Sequence, residues 1–163
     1  MVQLKQITRN ATFTWSPAKG KPLIASGTIA GAVDASFSQD SELEIWDLDL
    51  DKTDPSAFEL RPTARVSVER KSVLFLSYAN VSRFYSLAWG YVTSDKPQGV
   101  IAGAMDDGRL NIWDVNSVLQ NSGSSLITSN EAHRGAIKVV EFNPVNPKLL
   151  MSAGAGGEVA TIR

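Results

Sequence analysis

The chain has 163 residues, 43% of them hydrophobic, and its 16 basic and 17 acidic side chains leave a formal charge of -1. This is enough for one globular domain with a real core, and the even charge balance argues against a nucleic-acid-binding face, which needs clustered Lys and Arg. The chain has no cysteine, which excludes disulfides and thiolate metal sites.

The opening stretch, MVQLKQITRNATFTW, lacks the apolar run of a signal peptide. No window approaches the roughly 18 apolar residues of a membrane span, so a cytoplasmic protein is expected. Asn10-Ala11-Thr12 and Asn80-Val81-Ser82 have the form of glycosylation sequons, but without an export signal they are chance matches. In ATFTWSP, Ala11, Phe13 and Trp15 alternate onto one face until Pro17 stops the strand. Lys19-Gly20-Lys21-Pro22 is a turn, and Leu23-Ile24-Ala25 reads as a short buried strand. A long Gly/Ala/Ser segment, GTIAGAVDASFSQD, then precedes the strand that ends in Glu44-Ile45-Trp46-Asp47.

After the polar connection Asp49 to Pro62, the stretch KSVLFLSYA at 71–79 is too apolar for a surface loop. It is either an outermost strand or inserted sequence, the insertion spanning about 66–82. The earlier pattern then returns. Tyr85, Leu87 and Trp89 alternate, Val100 to Gly103 follow, and Asp106-Asp107-Gly108 turns the chain into Leu110-Asn111-Ile112-Trp113-Asp114. Asp-Gly between two strand-like runs is a strong hairpin signal. A third copy opens at His133-Arg134-Gly135 and continues through Ile137, Val140 and Phe142 to a second strand, Leu149 to Gly154. Aligned on Trp15, Trp89 and Phe142, it carries Ile162-Arg163 where the other two copies have Trp-Asp.

A strand that ends in Trp-Asp and recurs along the chain is the signature of a WD-repeat blade. The expected fold is all-β, a WD40-type propeller with about three blade-like copies at about 8–50, 83–116 and 132–163. Propellers close with about 4 to 8 blades. Three blades therefore form an open arc with two apolar faces uncovered: either the chain is a truncated piece of a longer propeller, or something else covers those faces.

Several quoted stretches, MVQLKQITRNATFTWSP, PLIASGTIAGAVDASFSQDSELEIWDLDL, FYSLAWG, GVIAGAMDDGRLNIWD and AHRGAIKVVEFNP, closely resemble the N-terminal propeller of the large outer-cage subunit of the COPII vesicle coat. The resemblance spans nearly the whole chain except about 66–82 and the last six residues. It implies a non-enzymatic structural component of the coat, acting in vesicle budding and ER-to-Golgi transport on the cytosolic face of ER exit sites and vesicles. Implied partners are other coat subunits: the smaller WD-repeat partner of the outer cage, further copies of itself and the inner coat. Membrane contact would be indirect, with no nucleic acid, cofactor or small-molecule substrate. The alternative is a WD-repeat adaptor that binds peptides in another pathway, such as ubiquitination or chromatin assembly.

The repeat positions are Trp15, Trp46, Asp47, Trp89, Asp107, Gly108, Trp113, Asp114, His133, Phe142 and Ser152, all with architectural roles. The Trp side chains are expected between blades, and each following Asp at a strand end. In WD repeats, a histidine placed like His133 bonds a serine on the second strand, here Ser152, and an aspartate in the hairpin turn. The turn position here is Gly156, so an incomplete network and a partly exposed His133 are expected. As the chain's one histidine, His133 can build no metal cluster or triad. Asp47, Asp49 and Asp51 imitate the start of a calcium loop, but Lys52 and Phe58 stand where Gly and Glu are required. Gly154-Ala155-Gly156-Gly157 reads as a hairpin turn rather than a phosphate cradle. No catalytic or metal site is expected, and the sequence does not single out interface residues.

Overall fold

The computed structural model describes residues 5–18, 20–29, 41–51, 59–68 and 82–163. The core of the suspected insertion, 69–81, most of the Gly/Ala/Ser segment, 30–40, and residues 52–58 lie outside the described residues.

Alternating apolar residues and turn-forming Gly, Asp and Pro divide the chain into short antiparallel strands. The first sheet has the order β1 (Ala11–Trp15), β2 (Leu23–Thr28), β3 (Glu42–Asp47) and β4 (Ala64–Ser67). The second runs β5 (Phe84–Gly90), β6 (Val100–Met105), β7 (Arg109–Asp114) and β8 (Leu126–Glu131). A short helix, α1 (Val115–Leu119), sits between β7 and β8. The third sheet is β9 (Ile137–Phe142), β10 (Leu150–Gly154) and β11 (Val159–Ile162). The outer strands β4 and β8 fall beyond the first two sequence copies.

The register aligns the three sheets residue for residue. One row crosses each sheet: Trp15–Ile24–Trp46, Trp89–Ile101–Trp113 and Phe142–Leu150–Ile162. Inner strands β1 and β5 lie side by side, as do β5 and β9. The sheets therefore stack face to face about a common inner edge, as the blades of an unclosed WD40-type propeller.

Two apolar layers hold the stack. Between the first and second sheets lie Ala25, Leu43 and Ile45 on one side and Phe84, Leu87, Trp89, Ile101, Met105 and Trp113 on the other, with Val115 and Val118 of α1. Between the second and third lie Ala88, Ala102, Ala104 and Leu110 against Ile137, Val140 and Leu150. At roughly 1.5–3 kcal/mol for each buried large aliphatic or aromatic side chain, these layers dominate the favourable free energy.

Phe84 is the wedge of the first layer. Its fully buried ring fills space that two glycines leave open, since a Cβ on Gly27 would fall 2.5 Å from Phe84 Cδ2 and one on Gly103 2.6 Å from Phe84 Cε1. It also packs tilted on Trp113 with ring centroids 5.8 Å apart. Gly103 is aligned with Ser26 and Ser152 in the other sheets, so the second blade is apolar where the other two are polar.

Two expected alternations fail. Tyr85 does not share a buried face with Leu87 and Trp89, because the ladder is irregular between Phe84 and Ser86 and turns Tyr85 outward. There its ring lies 3.5 Å from Lys138 Nζ. Phe13 and Trp15 do share a face, but it is solvent-exposed. Strand pattern decides which residues share a face, whereas a neighbouring sheet decides whether that face is buried.

Candidate interaction surfaces

At each Trp-Asp strand end the aspartate holds the backbone beyond it. Asp47 Oδ1 accepts from Asp49 N at 3.1 Å, and Asp114 Oδ1 accepts from Asn116 N at 3.2 Å, which caps α1. Each also takes a lysine from the loop between the first two strands of its sheet, Lys21 at 3.3 Å and Lys96 at 2.9 Å. Burial alone would raise the Asp114 carboxyl, but Lys96, Ser117 and the Asn116 amide outweigh it and hold Asp114 below the usual carboxylate range. Lys96 is raised in return, chiefly by its bond to Asp114. Asp47 is already committed to Lys21 and a backbone amide, and no group of three or more metal-ligating side chains occurs among the described residues.

The Trp side chains differ by blade. Trp113 points into the first layer against Phe84, whereas Trp46 lies on the opposite, outer face of its sheet. There its Nε1 donates to Ser26 Oγ at 2.9 Å and the Arg9 guanidinium covers its ring at 5.4 Å. Arg9 also grips the buried Glu44 through Nε at 3.0 Å and Nη2 at 3.3 Å. Trp89 Nε1 donates to the Gln98 carbonyl at 2.9 Å, pinning the loop that carries Lys96.

The hairpin turns of the second and third sheets clasp the chain entering them. In the second, Asp107 Oδ2 accepts from Ser82 Oγ at 2.5 Å and from Arg109 Nε at 2.6 Å, while Asp106 Oδ1 accepts from Arg83 N at 2.9 Å. Burial would push Asp107 up, but its bonds to Ser82 and Arg109 and the Arg109 charge hold it below normal. Asp106 is pushed up, first by burial and then by the Asp107 charge, against the lowering bond from Arg83. Gly108 takes φ +86°, and a Cβ there would meet the His133 carbonyl at 2.3 Å, so this turn accepts only glycine without displacement.

His133 is buried, not partly exposed as its incomplete network had implied. Its Nε2 bonds Ser152 Oγ at 2.8 Å, and its ring lies where a Cβ on Gly154 would have to be. The turn does lack an aspartate, but Glu158, beyond Gly157, replaces it. Glu158 Oε2 accepts from Arg134 N at 3.2 Å and stands 3.3 Å from His133 Nδ1, within ion-pair distance but without hydrogen-bond geometry. Residues Gly154 to Gly157 form the hairpin, with Gly157 at φ +80° donating to the Gly154 carbonyl. The chain order of these groups gave no sign of the Glu158 substitution or of the Arg9–Glu44 pair.

Two open sheet faces remain. The first sheet turns Phe13 and Trp15 outward, 60% and 55% exposed, whereas the aligned Leu87 and Trp89 are each 6% exposed. The third sheet turns Met151 and Val159 outward, 50% and 65% exposed, although the aligned positions, Ala25 and Leu43 in one sheet and Ala102 and Leu110 in the next, are buried. Positions covered inside the stack are bare at its two ends.

Comparison with known proteins decides what this stack is. Protein transport protein SEC31 of Phaeosphaeria nodorum is 44% identical over 98% of the chain, and its counterparts in Neurospora crassa and Pyricularia oryzae are 43% and 41% identical over the same share. The chain belongs to the SEC31 family. It spans 12% of the length of each of these SEC31 proteins. No family model matches it. A chain in a structure described as "COPII on membranes, outer coat vertex" superposes with a TM-score of 0.68 at 33% identity, covering 95% of this chain and 34% of that one. A chain of "The structure of the COPII coat assembled on membranes" gives the same score and identity over 95% of this chain and 19% of that one. The stacked sheets share their fold with these COPII coat chains.

Proposed function

We propose that this SEC31-family chain is a non-enzymatic structural element of the COPII outer cage, supporting vesicle budding and ER-to-Golgi transport. The observation that carries the reading is 41–44% identity to SEC31 proteins over 98% of the chain, with likeness to an outer coat vertex in support. Its repeat positions act architecturally: Trp46, Trp89 and Trp113 pack within and between sheets, and Asp47, Asp107 and Asp114 fix strand ends and turns.

The mechanism is geometric. Sheets locked by two apolar layers present loops and edges to neighbouring coat subunits, and many weak contacts sum to a lattice. Partners are further copies of the large subunit, its smaller WD-repeat partner and the inner coat. The chain is cytoplasmic and peripheral on ER exit sites and vesicles, reaching the membrane through the inner coat.

Co-sedimentation with coat subunits reconstituted on liposomes tests the reading. Pelleting should require the outer-cage subunits and should saturate. Equal pelleting with bare liposomes, or none with the assembled coat, would refute it and favour a WD-repeat adaptor.

A further inference from the structure

We infer that Tyr85 and Lys138 form a docking point for an acidic peptide segment of another protein, where the inner strands β5 and β9 lie side by side. Both side chains are placed by the same backbone device. The β5–β6 ladder pairs Phe84 with Met105 and Ser86 with Ala104, which leaves Tyr85 as an extra residue. The β9–β10 ladder pairs Ile137 with Gly154 and Val139 with Ala153, which leaves Lys138 as an extra residue. Counted from the Trp89–Ile101 and Phe142–Leu150 row, the two bulges fall at the same level. The first sheet passes that level without one, since Ala11 pairs with Thr28 and Thr12 with Gly27. A bulge disrupts the ladder locally and re-aims a side chain, and bulges are over-represented beside functional sites.

The two re-aimed side chains meet. Lys138 Nζ lies 3.5 Å from the centre of the Tyr85 ring, and both residues are exposed. Lys21 and Lys96 are each held by an aspartate. Among the described residues, by contrast, Lys138 Nζ has no carboxylate partner and the Tyr85 hydroxyl has no hydrogen-bond partner. The ring steadies the ammonium through its π face, while the ammonium N–H groups that point away from it and the phenol O–H are left for an incoming acceptor. A lysine already held in place adds less ordering cost to binding than a free one.

One ammonium and one neutral phenol match a single carboxylate through charge-assisted hydrogen bonds. The ring also offers apolar surface to the segment that carries that carboxylate. A phosphate group or an anionic membrane is gripped by several cations together, and this pair brings one. The chemistry therefore favours an acidic peptide over either of them.

Fluorescence anisotropy of a labelled hexaglutamate peptide, titrated with the 163-residue chain, tests the inference. Saturable binding with a Kd below about 1 mM is expected, weakening as salt is raised. Lys138→Glu and Tyr85→Ala, both at exposed positions, should leave the circular dichroism spectrum unchanged and weaken binding by about 10-fold or more. Lys148→Glu makes the same charge change in the β9–β10 loop, past the far end of β9, and should alter binding by less than about twofold. Absence of peptide binding at about 1 mM would overturn the inference. So would binding that the Lys138 and Tyr85 variants leave unchanged, or that Lys148→Glu lowers equally. Tighter binding to inorganic phosphate, or to vesicles containing phosphatidylserine, than to the peptide would overturn it too.

Discussion

Phe84 offers the sharpest test of how the first two sheets are joined. Its fully buried ring occupies space left by Gly27 and Gly103 and packs on Trp113. Phe84→Ala removes that ring from between two sheets that cannot freely collapse, which predicts a loss of about 3–5 kcal/mol. Against the ~5–15 kcal/mol of a typical domain this is a large fraction of the total. Gly103→Ala instead adds a methyl 2.6 Å from Phe84 Cε1 and 2.7 Å from Trp113 Cζ3, two rigid rings, and costs about 1–3 kcal/mol. In the double variant the new methyl enters space vacated by Phe84, and Trp113 can shift. The two losses should then combine to less than their sum by at least about 1 kcal/mol. Urea unfolding followed by Trp fluorescence, at one fixed protein concentration, measures all four corners of the cycle. Additivity within about 0.5 kcal/mol, or a Phe84→Ala loss below about 1 kcal/mol, would refute the wedge.

Gly108→Ala should destabilise by about 1–3 kcal/mol, because it joins an unfavourable φ to a clash with the His133 carbonyl; an unchanged urea midpoint would contradict this. Ser152→Ala leaves the buried His133 Nε2 without its partner and should cost about 1–3 kcal/mol in the same assay. Asp107 and Asp114 titrate below the ordinary carboxylate value, so their stabilisation is complete above about pH 4 and is lost as pH falls through their folded values. Asp106, shifted upward, acts in the opposite sense and loses stability as pH rises through its own folded value. Asp114→Asn should therefore flatten the acid-side decline of the urea midpoint, and an identical decline would count against the Lys96–Asp114 clasp.

Much of the blade pattern was legible because its signals are local. Trp46-Asp47 and Trp113-Asp114 end their strands, and the Asp107-Gly108 hairpin falls between β6 and β7. The outer strands were harder to see: Ala64–Ser67 alternates Ala-Arg-Val-Ser, but four residues are too short a run to stand out. What sequence hid was burial decided at a distance. Trp15 and Trp89 occupy the same register position, and only the presence of a preceding sheet separates their exposures. A turn without aspartate implies an exposed His133, whereas Gly154 makes room for the ring and Glu158, beyond the turn, brings a carboxylate within 3.3 Å of Nδ1. Arg9 and Glu44 meet from 35 positions apart, and no periodicity announces such a pair.

The Gly108 turn has a consequence for how the stack comes apart. Its carbonyl accepts from both Ala132 N and His133 N, so the tip of the second sheet holds the backbone entering the third. Detaching the third sheet must break this main-chain clasp as well as the apolar layer. In hydrogen exchange, the Ala132 and His133 amides should open together with the third sheet as one unit rather than fray as a loop.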